Sequence, residues 1–120
     1  MKIEKRDSVD FLIDILDSIE KIESFVEGFD FEEFSKDQKT IYAVVRALEI
    51  IGEATKNLPN SLKVEHPEVP WRDMAGFRDK VVHSYFGIDL EVVWDTAIDD
   101  APSLKPLIVK ILDETEKHSK

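Results

Sequence analysis

Eight consecutive residues, Arg78-Asp79-Lys80-Val81-Val82-His83-Ser84-Tyr85, bring together a fixed cation, an imidazole, a hydroxyl and a phenol. Cleaving a phosphodiester without a metal calls for such a set. A base takes a proton from the attacking 2′-hydroxyl, an acid protonates the leaving oxygen, and a cation meets the charge that develops at phosphorus. Histidine titrates nearest neutrality and suits the proton work. Arginine stays charged and grips phosphate oxygens in a bidentate way. The residue types by themselves admit a plainer reading as well: a core histidine with its hydrogen bonds satisfied, an exposed arginine and a half-buried tyrosine.

Little else in the chain suggests chemistry. There is no Gly-rich phosphate loop, no His pair at metal-ligand spacing and no paired-carboxylate motif, so neither a metal nor a cofactor is expected. His66 precedes Pro67 in a connector and His118 lies in a polar tail; neither is given a role. Trp71 and Trp94 read as core residues. The absence of Cys excludes a disulfide scaffold, a thiolate zinc site and a thiol nucleophile. It fits a reducing, cytoplasmic setting. No apolar run reaches the ~18 residues of a membrane span, and no membrane association is expected.

The net charge of −10 opposes phosphate backbones as a whole. It is unevenly distributed. Residues 1–34 carry eleven acids and four bases, and residues 81–104 carry five acids and no Lys or Arg. Residues 63–80 carry four of each, so an anionic ligand belongs in that neutral segment or facing Arg46 and Lys56.

The elements that must position these groups are helical. With 120 residues, 42% of them hydrophobic, the chain makes one domain spanning 1–120 with a real core. Val9, Leu12, Leu16, Ile19 and Val26 repeat at helical spacing over Asp7–Glu27, and Gly28 stops the helix. An acidic connector with Phe29, Phe31 and Phe34 comes next. Ser35 with Gln38 suggests a capping box for a second helix running to about Leu58. That helix is apolar over most of its circumference and polar only at Arg46, Glu49, Glu53 and Lys56, which places it either centrally in a bundle or in a subunit interface.

The proline-rich connector 59–76 has room for one or two helical turns, one capped by Ser61 and one starting at Trp71 after Pro70. Phe77–Phe86 reads as a short helix ended by Gly87. Asp89 caps the next, which Pro102 breaks or kinks. Asp100 or Ser103 then caps a last helix, with Pro106 tolerated in its first turn. The fold expected is all-α, a bundle of four principal helices plus short ones.

Arg78, His83 and Tyr85 match the Arg-x-x-x-x-His-x-Tyr motif of HEPN-domain proteins. The run Pro70-Trp71-Arg72-Asp73-Met74-Ala75-Gly76-Phe77-Arg78-Asp79-Lys80-Val81-Val82-His83-Ser84-Tyr85-Phe86-Gly87-Ile88-Asp89 resembles the signature stretch of the HepT-like family. These are the HEPN toxins of HepT/MntA toxin–antitoxin pairs. Ile51-Gly52-Glu53-Ala54 and Val92-Val93-Trp94 are also similar to that family.

The resemblance implies an antiparallel HEPN helical bundle that forms a homodimer, with the two motifs lining a shared cleft. It implies a metal-independent endoribonuclease, the toxin of a type VII toxin–antitoxin system. The partner would be a small MntA-like nucleotidyltransferase antitoxin that transfers AMP from ATP onto Tyr85. On this reading His83 is general acid or base, Arg78 binds phosphate, and Tyr85 orients substrate or serves as AMP acceptor. Asp79, Ser84 and Glu53 are supporting candidates, with Arg72 and Lys80 at the rim. An alternative from the same resemblance is a non-catalytic HEPN module that binds a nucleotide and partners the transferase; the overall acidity favours it.

Two geometric expectations remain. At ~100° per residue, His83 falls about 140° round a continuous helix from Arg78. Either the helix unwinds near His83, or a second subunit supplies the missing group across a two-fold axis. The acidic first helix, with Asp10, Asp14 and Asp17, would suit a basic surface on the antitoxin.

Overall fold

The computed structural model describes residues 6–83 and 87–118, the side chains of His83 and of residues 116–118 excepted. Helix α1 spans Ser8–Val26. Asp7 accepts from the Asp10 amide at 3.1 Å, and Asp10 returns the bond to the Asp7 amide at 3.3 Å. This reciprocal cap satisfies amides that have no partner inside the helix. Leu12, Ile15, Ile19 and Ile22 are wholly buried along one face. Gly28, at φ +81°, turns the chain out in a conformation that L side chains disfavour.

The acidic connector is not irregular. Phe31–Lys36 forms α2, capped by Asp30, whose carboxylate accepts from the Glu33 amide at 2.8 Å. This overturns the expected capping box at Ser35 and Gln38. Ser35 lies inside α2, where its hydroxyl donates to the Glu32 carbonyl at 2.7 Å. The central helix α3, Gln38–Lys56, is capped by Asp37, which accepts from the Thr40 amide at 3.1 Å. Ser35 is still within α2, two residues short of the break between the helices, so Asp37 at the break takes the cap.

Helix α3 is central in the bundle, the first of the two placements open to it. One side packs on α1. Others meet α2 and three later elements, α5 (Trp71–Ala75), α6 (Phe77–Val81) and α7 (Leu90–Asp95). Ile41, Val44, Val45, Ala47, Leu48, Ile51, Gly52, Ala54 and Thr55 are buried, while Arg46, Glu53 and Lys56 stay exposed.

Between α3 and α5 the connector forms α4, Asn60–Glu65. It starts directly after Pro59, so Ser61 sits inside it and does not cap it. Helix α5 starts at Trp71 after Pro70, as the sequence suggests. The buried Trp71 indole donates to the His66 carbonyl at 3.0 Å.

The C-terminal third departs from expectation. Asp89 does cap α7, accepting from the Val92 amide at 3.2 Å. Pro102 does not break the helical path beyond α7. A π-helical turn, Thr96–Asp100, runs directly into α8, Ala101–His118. The Ala101 amide bonds back five residues to the Thr96 carbonyl. That wider turn just before Pro102 lets the helical path continue although Pro102 has no amide to donate. Neither Asp100 nor Ser103 is therefore needed as a cap, and the Ser103 hydroxyl donates to the Asp100 carbonyl instead. Pro106 lies beyond the first turn of α8. Burial of Ala101, Leu104, Ile108, Ile111 and Leu112 against the core offsets its missing hydrogen bond. The fold is all-α, and among the described residues no helix is long and apolar enough to cross a membrane.

Candidate functional site

Helix α6 carries the motif arginine. Phe77 and Val81, four residues apart, are buried and fix the helix to the core. Arg78, Asp79 and Lys80 are thereby turned outward. Residue spacing predicts a helix as far as Phe86, but α6 ends at Val81. Val82–His83 (β1) pairs antiparallel with Gly87–Ile88 (β2), Val82 opposite Ile88 and His83 opposite Gly87. The Asp89 amide donates to the Val81 carbonyl at 2.9 Å and closes the loop.

Two consecutive valines are stiff in a helix and suit an extended backbone. Gly87 takes φ +80°, the left-handed conformation that lets the ribbon return. The chain therefore unwinds just before His83, one of the two solutions open to the angular mismatch. Ser84 and Tyr85 lie outside the described residues, as does the His83 side chain.

The Arg78 guanidinium is 58% exposed, with Nε 3.4 Å from Glu49 Oε2 and Nη1 3.9 Å from Asp79 Oδ1. Glu49, on α3, is only 25% exposed. Sequence reasoning points to Glu53, one turn further along. Glu53 instead faces Arg46, 3.7 Å away on the exposed stripe. The signal that finds Glu49 is its position: it precedes Gly52 by three residues, so both lie on the side of α3 that receives the α5–α6 turn.

Gly52 explains how that turn comes so close. A Cβ there would lie 3.3 Å from the carbonyl oxygens of both Met74 and Ala75. A hydrogen at this position lets the backbone before α6 rest directly on α3, which brings Arg78 to Glu49.

Lys80 faces the other side of α6 and reaches Asp100 in the π turn at 2.9 Å. It lines a cavity of about 570 Å³ together with Arg72, Asp73, Phe77, Asp100 and Ser103. Arg72 and Lys80 thus share one pocket with two carboxylates. Trp94 is half-buried, 5.1 Å from the Phe34 ring and 6.2 Å from Phe31. It packs as a core-edge residue, in keeping with the sequence reading.

Chemically, the geometry shown amounts to an exposed guanidinium, braced by a half-buried carboxylate, just ahead of an unwound segment that carries a histidine. A family model described as "Ribonuclease HepT-like" matches residues 15–111. The chain belongs to the HepT-like family. A probable ribonuclease HepT of Thermococcus cleftensis is 54% identical over 107 residues, covering 89% of this chain and 97% of that protein. A putative RNase of Methanocaldococcus jannaschii is 46% identical, covering 93% of each chain. One from Caldanaerobacter subterraneus is 42% identical, covering 87% of this chain and 93% of the relative. No solved structure matches the chain significantly. Within this HepT-like chain, Arg78 and His83 lie on either side of the point where α6 ends.

Proposed function

We propose that this HepT-like chain is a metal-independent endoribonuclease whose site is Arg78, His83 and Tyr85. The observation that carries this reading is the complete motif in a member of a ribonuclease-named family, with the Arg78 guanidinium presented to solvent. Arg78 grips the scissile phosphate and meets the charge that develops there. His83 moves the proton to or from the 2′-hydroxyl or the leaving oxygen. Because His83 sits on an extended segment, its direction is free of the helical repeat that fixes Arg78.

The regulatory part of the reading rests on the resemblance. The chain acts as the toxin of a type VII pair, and two copies place their motifs along one cleft. An MntA-like nucleotidyltransferase silences it. The Tyr85 phenol oxygen bonds to the α-phosphorus of ATP, pyrophosphate leaves, and AMP remains as a bulky anion in the RNA path.

Single-turnover cleavage of RNA in EDTA by the wild type, Arg78→Ala and His83→Ala tests the catalytic reading. Cleavage by the wild type that both substitutions abolish supports it. Equal cleavage by all three, or none by the wild type, defeats it. The net charge of −10 favours a second reading, a nucleotide-binding module that only receives AMP. Cleavage by the wild type separates the two; AMP on Tyr85 is common to both, and mass spectrometry after incubation with the transferase and ATP, with Tyr85→Phe as control, tests that shared step.

A further inference from the structure

The acidic surface is not equally available everywhere. On α1, Asp14 lies 2.7 Å from Arg6, Asp17 2.9 Å from Lys21, and Glu20 and Glu23 lie 3.5 and 3.0 Å from Lys105. Asp10 is held in the cap. The acids expected to meet a basic partner therefore already have cations or amides. Glu91 and Asp95 on α7 differ: among the described residues neither has an ion pair or hydrogen bond to its carboxylate.

These two carboxylates are four residues apart on one helix face, with Trp94 beside them. Phe31 of α2 closes the opposite wall, its ring edge-on to Trp94. The four residues line a notch of about 290 Å³. Buried Phe34 backs Trp94 at 5.1 Å and fixes the indole in place. The surrounding segment 81–104 contains no Lys or Arg of its own.

We propose that this notch is a docking site for one cationic side chain, Arg or Lys, on a basic segment of a partner protein. An indole face attracts a cation through its quadrupole. Paired carboxylates offer a guanidinium fork the acceptors it needs. Nucleic acid is the wrong ligand here, since its phosphates would meet two uncompensated carboxylates. The notch does not share residues with the Arg78 site, so it stands whether or not the ribonuclease reading holds.

The test is an NMR titration of the full chain that follows its two indole N–H signals, assigned with Trp94→Phe. The probe is acetyl-Gly-Arg-Gly-Arg-Gly-amide, and the control is the same peptide with neutral citrulline for each arginine. The Trp94 signal should shift saturably with the arginine peptide, while that of Trp71 stays still and citrulline has little effect. Glu91→Gln with Asp95→Asn, both at exposed positions, should weaken the apparent affinity roughly tenfold. Equal shifts from both peptides, or unchanged affinity in the double variant, would overturn the proposal. So would a larger Trp94 shift on adding a short oligouridylate.

Discussion

Helix α3 and the segment Phe77–Asp89 meet where Glu49 faces Arg78, yet they are held by different means. Helix α3 is gripped on several sides by side chains that are almost entirely buried, so its position is set by packing. Among its described residues the motif segment has two buried anchors, Phe77 and Val81, and then a two-residue ribbon held by a few backbone hydrogen bonds. One region is a frame; the other is a short turn that can change direction within a residue. The motif arginine and histidine therefore do not share one helix. The frame fixes the arginine and the ribbon aims the chain that carries the histidine.

Substitutions can strain this contrast. The largest effect should come from the frame itself: Leu48→Ala, at a fully buried position, should cost about 2–5 kcal/mol of stability, read as a lowered urea midpoint. If the midpoint barely moved, α3 would not be the frame. Removing the charge from the turn should do the reverse. Arg78→Ala should leave the midpoint nearly unchanged and reduce RNA cleavage roughly 100-fold or more, and Arg78→Lys should recover only part of it, since an ammonium lacks the bidentate fork.

Smaller effects sharpen the boundary. Gly87→Ala forces an L side chain into φ +80° and should cost about 1–2 kcal/mol, with cleavage falling further than that loss alone accounts for. An unaltered cleavage rate would show that the ribbon does not aim His83. Gly52→Ala gains roughly 1 kcal/mol of helix propensity but presses on the Met74 and Ala75 carbonyls at 3.3 Å. These terms should nearly cancel in the midpoint, while the amide resonances of Phe77–Val81 shift and cleavage drops. Glu49→Gln should be the mildest: stability holds, and cleavage changes only severalfold as Arg78 loses its brace. An effect as large as that of Arg78→Ala would make Glu49 a participant in the chemistry.

Much of this is legible in the residues. The apolar repeats of α1 and α3, the Gly28 stop, the Asp89 cap and the start of α5 after Pro70 are local signals, and local geometry obeys them. The contest between Ser35 and Asp37 is not legible, because both are good caps and the choice depends on whether α2 forms. The end of α6 is hidden because its helical spacing continues past Val81 in sequence. The stiffness of Val81-Val82 and the return at Gly87 decide otherwise. Pro102 misleads for the opposite reason: a π turn precedes it, and buried residues beyond it keep the helix going.

The sequence by itself determined the helical class, the largely apolar character of α3 and the composition of the motif, because periodicity, capping and residue type are properties of the chain. It also determined membership of the HepT-like family. Only the tertiary structure decided which acid faces Arg78, since Glu49 and Glu53 lie on the same polar stripe and the close approach at Gly52 selects between them. Likewise, every acid counts equally in a net charge. Only the tertiary structure brings Lys105 to Glu20 and Glu23 of α1, while Glu91 and Asp95 stand beside Trp94 with no cation among the described residues.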